Sequence, residues 1–338
     1  CLNFWYHYSM WFMKKQFKHL KIYHSDDFNK IKLNIKLPYP FEKDLLRLLK
    51  KENKFEQEYY YLEQGKDYAF FVLYKNKMNI FTFGKLKFNM KLKVIGYPCS
   101  LSNAGYVTNN EKMMLDYIKS LKGAKLVLNV SNPTGSEGIT VGQTLPTCVF
   151  YNRFHSVTEY LTALRSSYRR RINKAIKNCE DLEIKINDET IDVYDLYLNT
   201  YNKSDYKLEK LESNFFKVFD GTKIVFLKDK KAIGFVLLKK VEDKLIFMFC
   251  GMDYRYNTAD LYYYMLYKII EYAIDRQCKI IDFGQTSEET KMKLGALLEK
   301  RYFYAHHSNP IINFLVNIGK DFLEYKYDFP QYRVFKEG

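Results

Sequence analysis

Chain-breaking residues are scarce in this sequence: 7 prolines and 15 glycines among 338 residues exclude collagen-like, low-complexity and largely disordered classes. No stretch approaches the roughly 18 consecutive apolar residues of a membrane span. Six cysteines, at positions 1, 99, 148, 179, 250 and 278, include no C-x-x-C pair and no histidine at metal-ligand spacing. A structural zinc site is therefore not expected, nor is a tightly bound cofactor. The scatter of the cysteines through apolar runs such as 247–250 predicts buried thiols in a reducing compartment, by default the cytosol. The opening segment 1–12 is aromatic but lacks the basic n-region and small-residue cleavage site of a signal peptide. Met13, followed at once by Lys14 and Lys15, reads as the native start. The alternative is an interfacial anchor built on Trp5, Tyr6, Tyr8, Trp11 and Phe12.

Acid is the other deficit. Against 54 lysines and arginines stand 39 aspartates and glutamates, a formal net charge of +15, which invites phosphates or anionic lipid through a salt-screened field. A bias toward Lys, Asn, Ile, Tyr and Phe decorates solvated faces in the same way, so only clustering of the charge carries information. With 47% hydrophobic and 28% charged residues the chain is globular, and its length suits two domains.

Two segments follow one plan of strand, charged turn, strand, helix and strand. The first has strands over 68–74 and 78–83 about a turn at Lys75, Asn76 and Lys77, then a helix over 111–121 and a strand over 125–130. The second has strands over 224–227, 233–238 and 245–250, with turns at 228–231 and at Glu242 and Asp243, then a helix over 261–275 and a strand over 279–284. Thr258 or Asp260 is placed to cap that helix, whose body is apolar on most sides and so expected to be buried. Meander, helix and crossover strand predict an α/β (α+β) architecture of two lobes, with mixed, mainly antiparallel sheets flanked by helices. The expected division is an N-terminal extension over 1–40, a lobe over 41–150, a linking basic helix within 151–180, a lobe over 181–310 and a tail over 311–338.

Between the lobes, 160–178 sets Leu161, Leu164, Tyr168, Ile172 and Ala175 on one helical face. The other face carries Arg165, Arg169, Arg170, Arg171, Lys174 and Lys177 with no acid among them. It reads either as a solvated linker or as an anion-binding surface, for which Arg165, Arg169, Arg170, Arg171 and Lys174 are the candidates and tRNA or an anionic membrane the partners.

Three segments carry a resemblance: Gly96-Tyr97-Pro98-Cys99-Ser100 with Asn103-Ala104-Gly105; Tyr160-Leu161 followed by the run from Leu164 to Ala175; and Asp282-Phe283-Gly284-Gln285-Thr286 followed by Glu289 and by Lys291-Met292-Lys293-Leu294-Gly295-Ala296. Together they resemble the GNAT superfamily (Gcn-related N-acetyltransferases), in particular Fem-type peptidyltransferases and CelD-like (BioF-type) acyltransferase domains of bacterial envelope and exopolysaccharide pathways. The resemblance implies a GNAT-type N-acyltransferase moving an acyl or aminoacyl group from an activated donor to an amine acceptor, such as an envelope or polysaccharide precursor. Acyl-CoA or aminoacyl-tRNA is the implied co-substrate.

In such enzymes the donor pyrophosphate sits on an R/Q-x-x-G-x-G/A loop at a helix N-terminus, where exposed amides favour anions. The corresponding stretch here, 251–259, lacks the internal glycines, which leaves room for a donor larger than acetyl-coenzyme A. Arg255, Asn257, Thr258 and Ala259 are the donor-binding candidates on it, with Lys291 to neutralise a phosphate or carboxylate. A backbone N–H near Phe249, Cys250 and Gly251 is the implied carbonyl polariser. Asp282 is the candidate catalytic side chain, with capping of the next helix or support of the Gly284 turn as its other reading. His306 and His307 are further candidate bases. The competing function is a catalytically inactive GNAT-like module that binds RNA or an anionic surface through the basic helix. The expected location is the cytosol, with peripheral attachment at the inner membrane face as its extension.

Overall fold

The computed structural model describes residues 19–84, 86–256 and 258–336, with Thr258 described by its backbone alone. The expectations for Met13, for the aromatic anchor and for Asn257 lie outside the described residues. The first half contributes β1 (Lys21–Ser25), β2 (Gln57–Gln64), β3 (Asp67–Asn79), β4 (Asn89–Ile95), β5 (Tyr106–Thr108), β6 (Ala124–Val130) and β7 (Thr140–Tyr151). The second contributes β8 (Glu183–Ile186), β9 (Thr222–Lys228), β10 (Lys231–Val241), β11 (Lys244–Met252), β12 (Ile280–Asp282) and β13 (Leu297–His307).

These join into one 13-stranded sheet in the order β1-β2-β3-β4-β6-β13-β7-β12-β11-β10-β9-β8, with β5 beside β3. The order has the same logic from either end. An antiparallel meander, β1 to β4 or β8 to β11, meets a parallel neighbour, β6 or β12, and then a strand from the other half of the sequence. β13 lies between β6 and β7, and β7 between β13 and β12, so each half of the sheet is completed by the other. The two halves of the chain are thereby tied together by main-chain hydrogen bonds.

Packing ties them further. One apolar cluster combines Leu46, Tyr59 and Phe70 of the first half with Leu196, Phe235 and Ile246 of the second. On the opposite face, α7 (Thr258–Asp275) buries Met265, Leu266, Ile269 and Ile270 completely, as its nearly all-round apolar sequence requires. β10 is buried continuously from Ile233 to Leu238, the pattern of a strand covered on both faces. Its hairpin with β9 closes on Asp229 and Lys230, both at positive φ, a turn whose twist matches the strands it joins.

The remaining helices are α1 (Lys43–Glu52), α2 (Glu111–Ser120), α3 (Val157–Ala163), α4 (Ser166–Asn178), α5 (Tyr194–Lys203), α6 (Phe215–Val218), α8 (Glu288–Met292), α9 (Pro310–Ile318) and α10 (Lys320–Leu323).

Two sequence expectations are corrected. The charged triplet Lys75-Asn76-Lys77 is not a turn: β3 runs through it, pairing Lys75 with Lys93 and Lys77 with Lys91, because the two lysines fall on one alternating face. The turn lies in the 80–88 loop instead. The single helix expected over 160–178 is two, α3 and α4, because the C-terminal segment crosses between them. Leu164 bridges Phe335 and the Arg165 N–H donates to the Val334 carbonyl at 2.9 Å, holding Arg165 in an extended conformation.

Candidate functional site

β11 and β12 pair over only three positions, from Lys244 with Ile280 to Ile246 with Asp282. Beyond them the chain after β12 turns to β7, where the Phe283 N–H donates to the Cys148 carbonyl at 2.9 Å and the Cys148 N–H to the Gly284 carbonyl at 3.0 Å. β11 instead continues along β10 to Met252, with a bulge next to Phe247 and Phe249. Alternate N–H groups of this stretch point away from β10 into the gap, and bulges re-aim backbone at sites of this kind. A cavity of ≈ 890 Å³ fills the gap, bounded by Phe249 and Cys250 on one side and by the turn Gly284–Ser287 and Lys291 on the other. It extends across to first-lobe residues such as Asn129 and Thr144.

The turn is strained. Gly284, Thr286 and Ser287 adopt φ of 70°, 64° and 51°, a region a β-branched residue enters only when its surroundings enforce it. This conformation presents the Gln285 and Gly284 carbonyls to Lys291 Nζ at 2.8 and 3.5 Å. Lys291 is 2% exposed, and burial lowers its pKa, opposed by Cys148, Cys250, Glu288 and Asp282. A buried amine held mainly by carbonyls lacks a full counter-charge, which is the chemistry that suits a phosphate or carboxylate.

Asp282 closes β12 but lies outside the cavity lining. It is 3% exposed and accepts from the Ser102 hydroxyl at 3.1 Å, the Thr147 hydroxyl at 3.1 Å and the Gly284 N–H at 3.0 Å, with Lys244 Nζ at 2.9 Å. Burial raises its pKa, but the Lys244 ammonium and these donors outweigh burial and hold it below the usual carboxylate value. Cys250 lines the cavity, and burial pushes its thiol up to about 11, so it is protonated at neutral pH. Gly251 does permit a close backbone approach, but to the protein itself: a Cβ there would overlap the Leu196 carbonyl group and the Phe235 ring.

The donor-loop candidates are scattered. Arg255 turns back on Asp253, donating through Nε at 2.8 Å, and this bond holds Asp253 at about 2. Ala259 is exposed and its carbonyl accepts from Arg171 Nη2 at 3.2 Å. Asp260, in the first turn of α7, pairs with Arg171 at 2.7 Å and accepts from Asn178 at 2.7 Å. The N-terminal end of α7 thus carries the protein's own carboxylate. Tyr254 lines the cavity, with its hydroxyl 3.3 Å from Thr200 Oγ1 and Lys203 Nζ over its ring.

The basic cluster divides likewise. Arg165 donates to the Phe335 carbonyl, Arg169 to the Leu164 carbonyl, and Arg171 lies over the Tyr263 ring while pairing with Asp260. Arg170 and Lys174 extend into solvent. His306 lines the first-lobe end of the cavity, and burial together with Lys125 and Lys119 pushes it down to about 4. His307 Nδ1 accepts from the Asn309 N–H at the start of α9. Among the described residues no group of three His, Cys, Asp or Glu side chains is placed to hold a metal.

Two participants escaped sequence reasoning. Asn129, at φ 61°, donates to the Leu101 carbonyl at 2.9 Å and accepts from Gln285 Nε2 at 3.0 Å, joining the strained turn to the first lobe. Nothing in its local sequence marks it. Glu209 sits in the charged run 207–212, which reads as solvated. It is in fact 5% exposed, lines the cavity and accepts from the Ser100 N–H and hydroxyl at 2.9 Å each, while burial raises its pKa.

Residues 164–292 match the family model of the acetyltransferase (GNAT) domain. The matched stretch, 129 of the 338 residues, holds the parted strands, the strained turn and Lys291, so this part of the chain is similar to an acetyltransferase domain. Similar solved structures include L-PGS from Bacillus licheniformis, at 8% identity over 75% of this chain and 86% of that one, with a TM-score of 0.47. FemX is similar at 12% identity over 79% and 92%, with a TM-score of 0.46. A conserved protein of unknown function from Bacteroides thetaiotaomicron VPI-5482 is similar at 10% identity over 78% and 89%, with a TM-score of 0.48. No curated protein matches the chain.

Proposed function

We propose that the protein is an N-acyltransferase that moves an acyl or aminoacyl group from acyl-CoA or aminoacyl-tRNA onto an amine acceptor, an envelope or polysaccharide precursor. The observation that carries this reading is the parting of β11 from β12 beside a cavity of ≈ 890 Å³, within the segment that matches the acetyltransferase domain. The acceptor nitrogen attacks the donor carbonyl carbon and a C–N bond forms. The thioester C–S or ester C–O bond breaks, and the proton lost by the amine ends on the departing thiol or hydroxyl. Backbone N–H groups around Phe249, Cys250 and Gly251 meet the charge that develops on the carbonyl oxygen.

In this reading Lys291 binds a phosphate or carboxylate, and Glu209, whose buried carboxyl holds its proton more tightly than usual, relays the amine proton. Asp282 is a positioning residue: bound to Lys244, Ser102 and Thr147, it fixes the turn that carries Gly284 to Ser287. The lobe over 181–310 supplies the chemistry and the lobe over 41–150 the facing wall. Crowding of the donor loop by Tyr254, the Asp253–Arg255 pair and Asp260 favours a large polyanionic donor, such as charged tRNA, over a short thioester. Arg170 and Lys174 then supply exposed phosphate contacts, with Arg165, Arg169 and Arg171 as their scaffold. The inactive RNA-binding module is the weaker reading, because three of its five cations are engaged within the protein. No helix among the described residues is long and apolar enough to cross a membrane; the proposed location is the cytosol, at the inner membrane face.

The test is incubation of the purified protein with acyl-CoA or charged tRNA and a panel of amine acceptors, with amide product read by mass spectrometry. The same instrument detects any thioester, nucleotide or RNA retained from purification. Failure of both donor classes to give donor-dependent amide overturns the proposal.

A further inference from the structure

α9 is inverted relative to an ordinary surface helix. Residues 310–318 contain no charged side chain, and the polar one nearest the sheet faces inward. Asn313 Oδ1 accepts from the His307 N–H at 2.9 Å and its Nδ2 donates to the Gly138 carbonyl at 2.8 Å. The outward side carries Ile311, Phe314, Leu315 and Ile318, exposed by 71%, 62%, 60% and 64%, and α10 adds exposed Phe322. A contiguous apolar face of this kind marks a docking surface.

A second observation says what covers it. The 80–88 loop between β3 and β4 meets the end of this helical pair, with the Phe83 ring 5.0 Å from that of Tyr325, and it exposes Leu86 and Phe88. From 68 to 110 the sequence holds six lysines, at 75, 77, 85, 87, 91 and 93, and no acidic residue. Exposed apolar side chains beside a run of lysines, of which Lys75 pairs with Glu58 at 3.4 Å, form the signature of attachment to anionic lipid. The same elements also line the cavity, through Ile80 and Phe83 from the loop and Ile312, Val316 and Leu323 from the helices.

We infer that α9, α10 and the 80–88 loop dock on an anionic lipid bilayer and turn the first-lobe end of the cavity toward the membrane. The outward side chains enter the boundary between headgroups and acyl chains, and the lysines meet lipid phosphates. An acyl-chain-bearing acceptor then reaches the cavity from the bilayer without crossing water. That delivery rests on the proposed transfer function, whereas the docking does not.

The test is co-sedimentation of the full chain with vesicles of phosphatidylcholine alone, and of phosphatidylcholine and phosphatidylglycerol in equal parts. The protein partitions about tenfold or more in favour of the anionic vesicles, and salt weakens the preference. Leu315→Ser with Ile318→Ser lowers partitioning about tenfold or more without altering thermal unfolding, because both side chains are already exposed. Lys87→Glu with Lys91→Glu removes the preference for phosphatidylglycerol. Equal partitioning of wild type and the serine variant overturns the inference. So does a concentration-dependent dimer, seen by light scattering, that the serine variant dissociates while vesicles fail to compete; a second copy would then cover this face. Transfer to a water-soluble amine is expected to survive the serine substitutions, so loss of docking and failure of the transferase reading give different results.

Discussion

The two halves of the sheet contain the same device and use it in opposite ways. β4 and β6 pair in parallel over three positions, Lys93 with Lys125 to Ile95 with Val127, just as β11 and β12 do. In the first lobe the chain then leaves the ladder at Gly96 and fills the gap itself. Tyr97, Cys99 and Leu101 are buried, Asn53 donates to the Pro98 carbonyl at 2.7 Å, and Asn129 on β6 holds the Leu101 carbonyl. In the second lobe β11 runs on and the gap becomes the cavity. The residues after the third paired position make the difference. Gly96-Tyr97-Pro98 bends away, and Pro98 has no N–H with which to continue a ladder, whereas Phe247-Met248-Phe249 carries on as a strand, buried at Phe247 and Met248 and half-buried at Phe249. One gap is closed by the chain itself and the other is left open as the cavity.

The sharpest way to break this comparison is at Lys291; the first lobe also buries a lysine held by carbonyls, Lys125, but at the paired start of the β4–β6 ladder and not at its gap. Lys291→Met is expected to lower kcat/KM for transfer by about a hundredfold to a thousandfold, or about 2.7–4 kcal/mol. The fold should persist, because the substitution removes a buried charge. Stability tests this separately. The folded-state pKa of Lys291 lies below its unfolded value of 10.5, so between the two the unfolded chain binds the proton more readily. Wild type therefore gains stability relative to Lys291→Met as pH rises through that window. Urea midpoints of the two proteins across alkaline pH should converge; a constant difference would mean that burial does not depress this amine.

Next in size are two glycines, one at each gap. A Cβ at Gly105 would overlap the Gly96 backbone, which has no side chain to move aside, and Gly105→Ala is expected to cost about 3 kcal/mol. Gly251→Ala presses on the Leu196 carbonyl group and on the more yielding Phe235 ring and should cost about 2 kcal/mol. Urea unfolding measures both. The comparison sharpens if the second variant alone also loses transfer activity that added stability does not restore.

The contrast was only partly legible in the sequence. The strands β9 to β12 and both crossover helices followed from alternation and turn chemistry, because those signals are local, whereas the first meander did not: its expected turn at 75–77 lies inside β3, and β2 and β4 are not among the expected strands. The exchange of β7 and β13 was not legible, since pairing between strands 140–151 and 297–307 leaves no trace in either one. Lys291 could be named from the resemblance, but Asn129 and Glu209 owe their roles to burial and to contacts across the lobes. The arginines of α4 show the same limit. A run of cations without acids looks like a binding surface until Asp260, far away in sequence, takes Arg171.

A smaller effect is expected at Lys244, which ties Asp282 to the edge of the open gap. Lys244→Met leaves the buried carboxylate with its hydroxyl and N–H donors but without a counter-charge and should cost about 2 kcal/mol. The sign with pH is definite. The folded-state pKa of Asp282 is held below its unfolded value, so its contribution is present above the unfolded value and is lost as pH falls through the folded one. Removing Lys244 raises the folded-state pKa toward the unfolded value, so the variant should lose less stability on acidification and show a shallower acid limb. An unchanged acid limb in thermal melts would show that the hydrogen bonds alone hold Asp282 ionised.

The smallest effect concerns the donor, because the open gap is open at only one end. At the start of α7, where a glycine-rich loop would offer several amides to a pyrophosphate, Asp253 and Arg255 close on each other and Asp260 supplies a negative charge of its own. Arg171, the nearest cation, is already paired with it. An incoming pyrophosphate must displace that pair or meet the carboxylate. Free acetyl-coenzyme A is therefore expected to bind more weakly than about 1 mM, less than about 4 kcal/mol of binding free energy, and to give no saturable heat on calorimetric titration. A polyanionic donor escapes this limit, because Arg170 and Lys174 lie exposed on the adjoining helix and add contacts away from the loop. Charged tRNA should bind measurably where the coenzyme does not, with a salt slope that falls by about 1 to 2 when both residues are changed to Gln. Saturable micromolar binding of acetyl-coenzyme A would instead show that Asp260 yields to phosphate, and would make the α7 end of the gap as open as its middle.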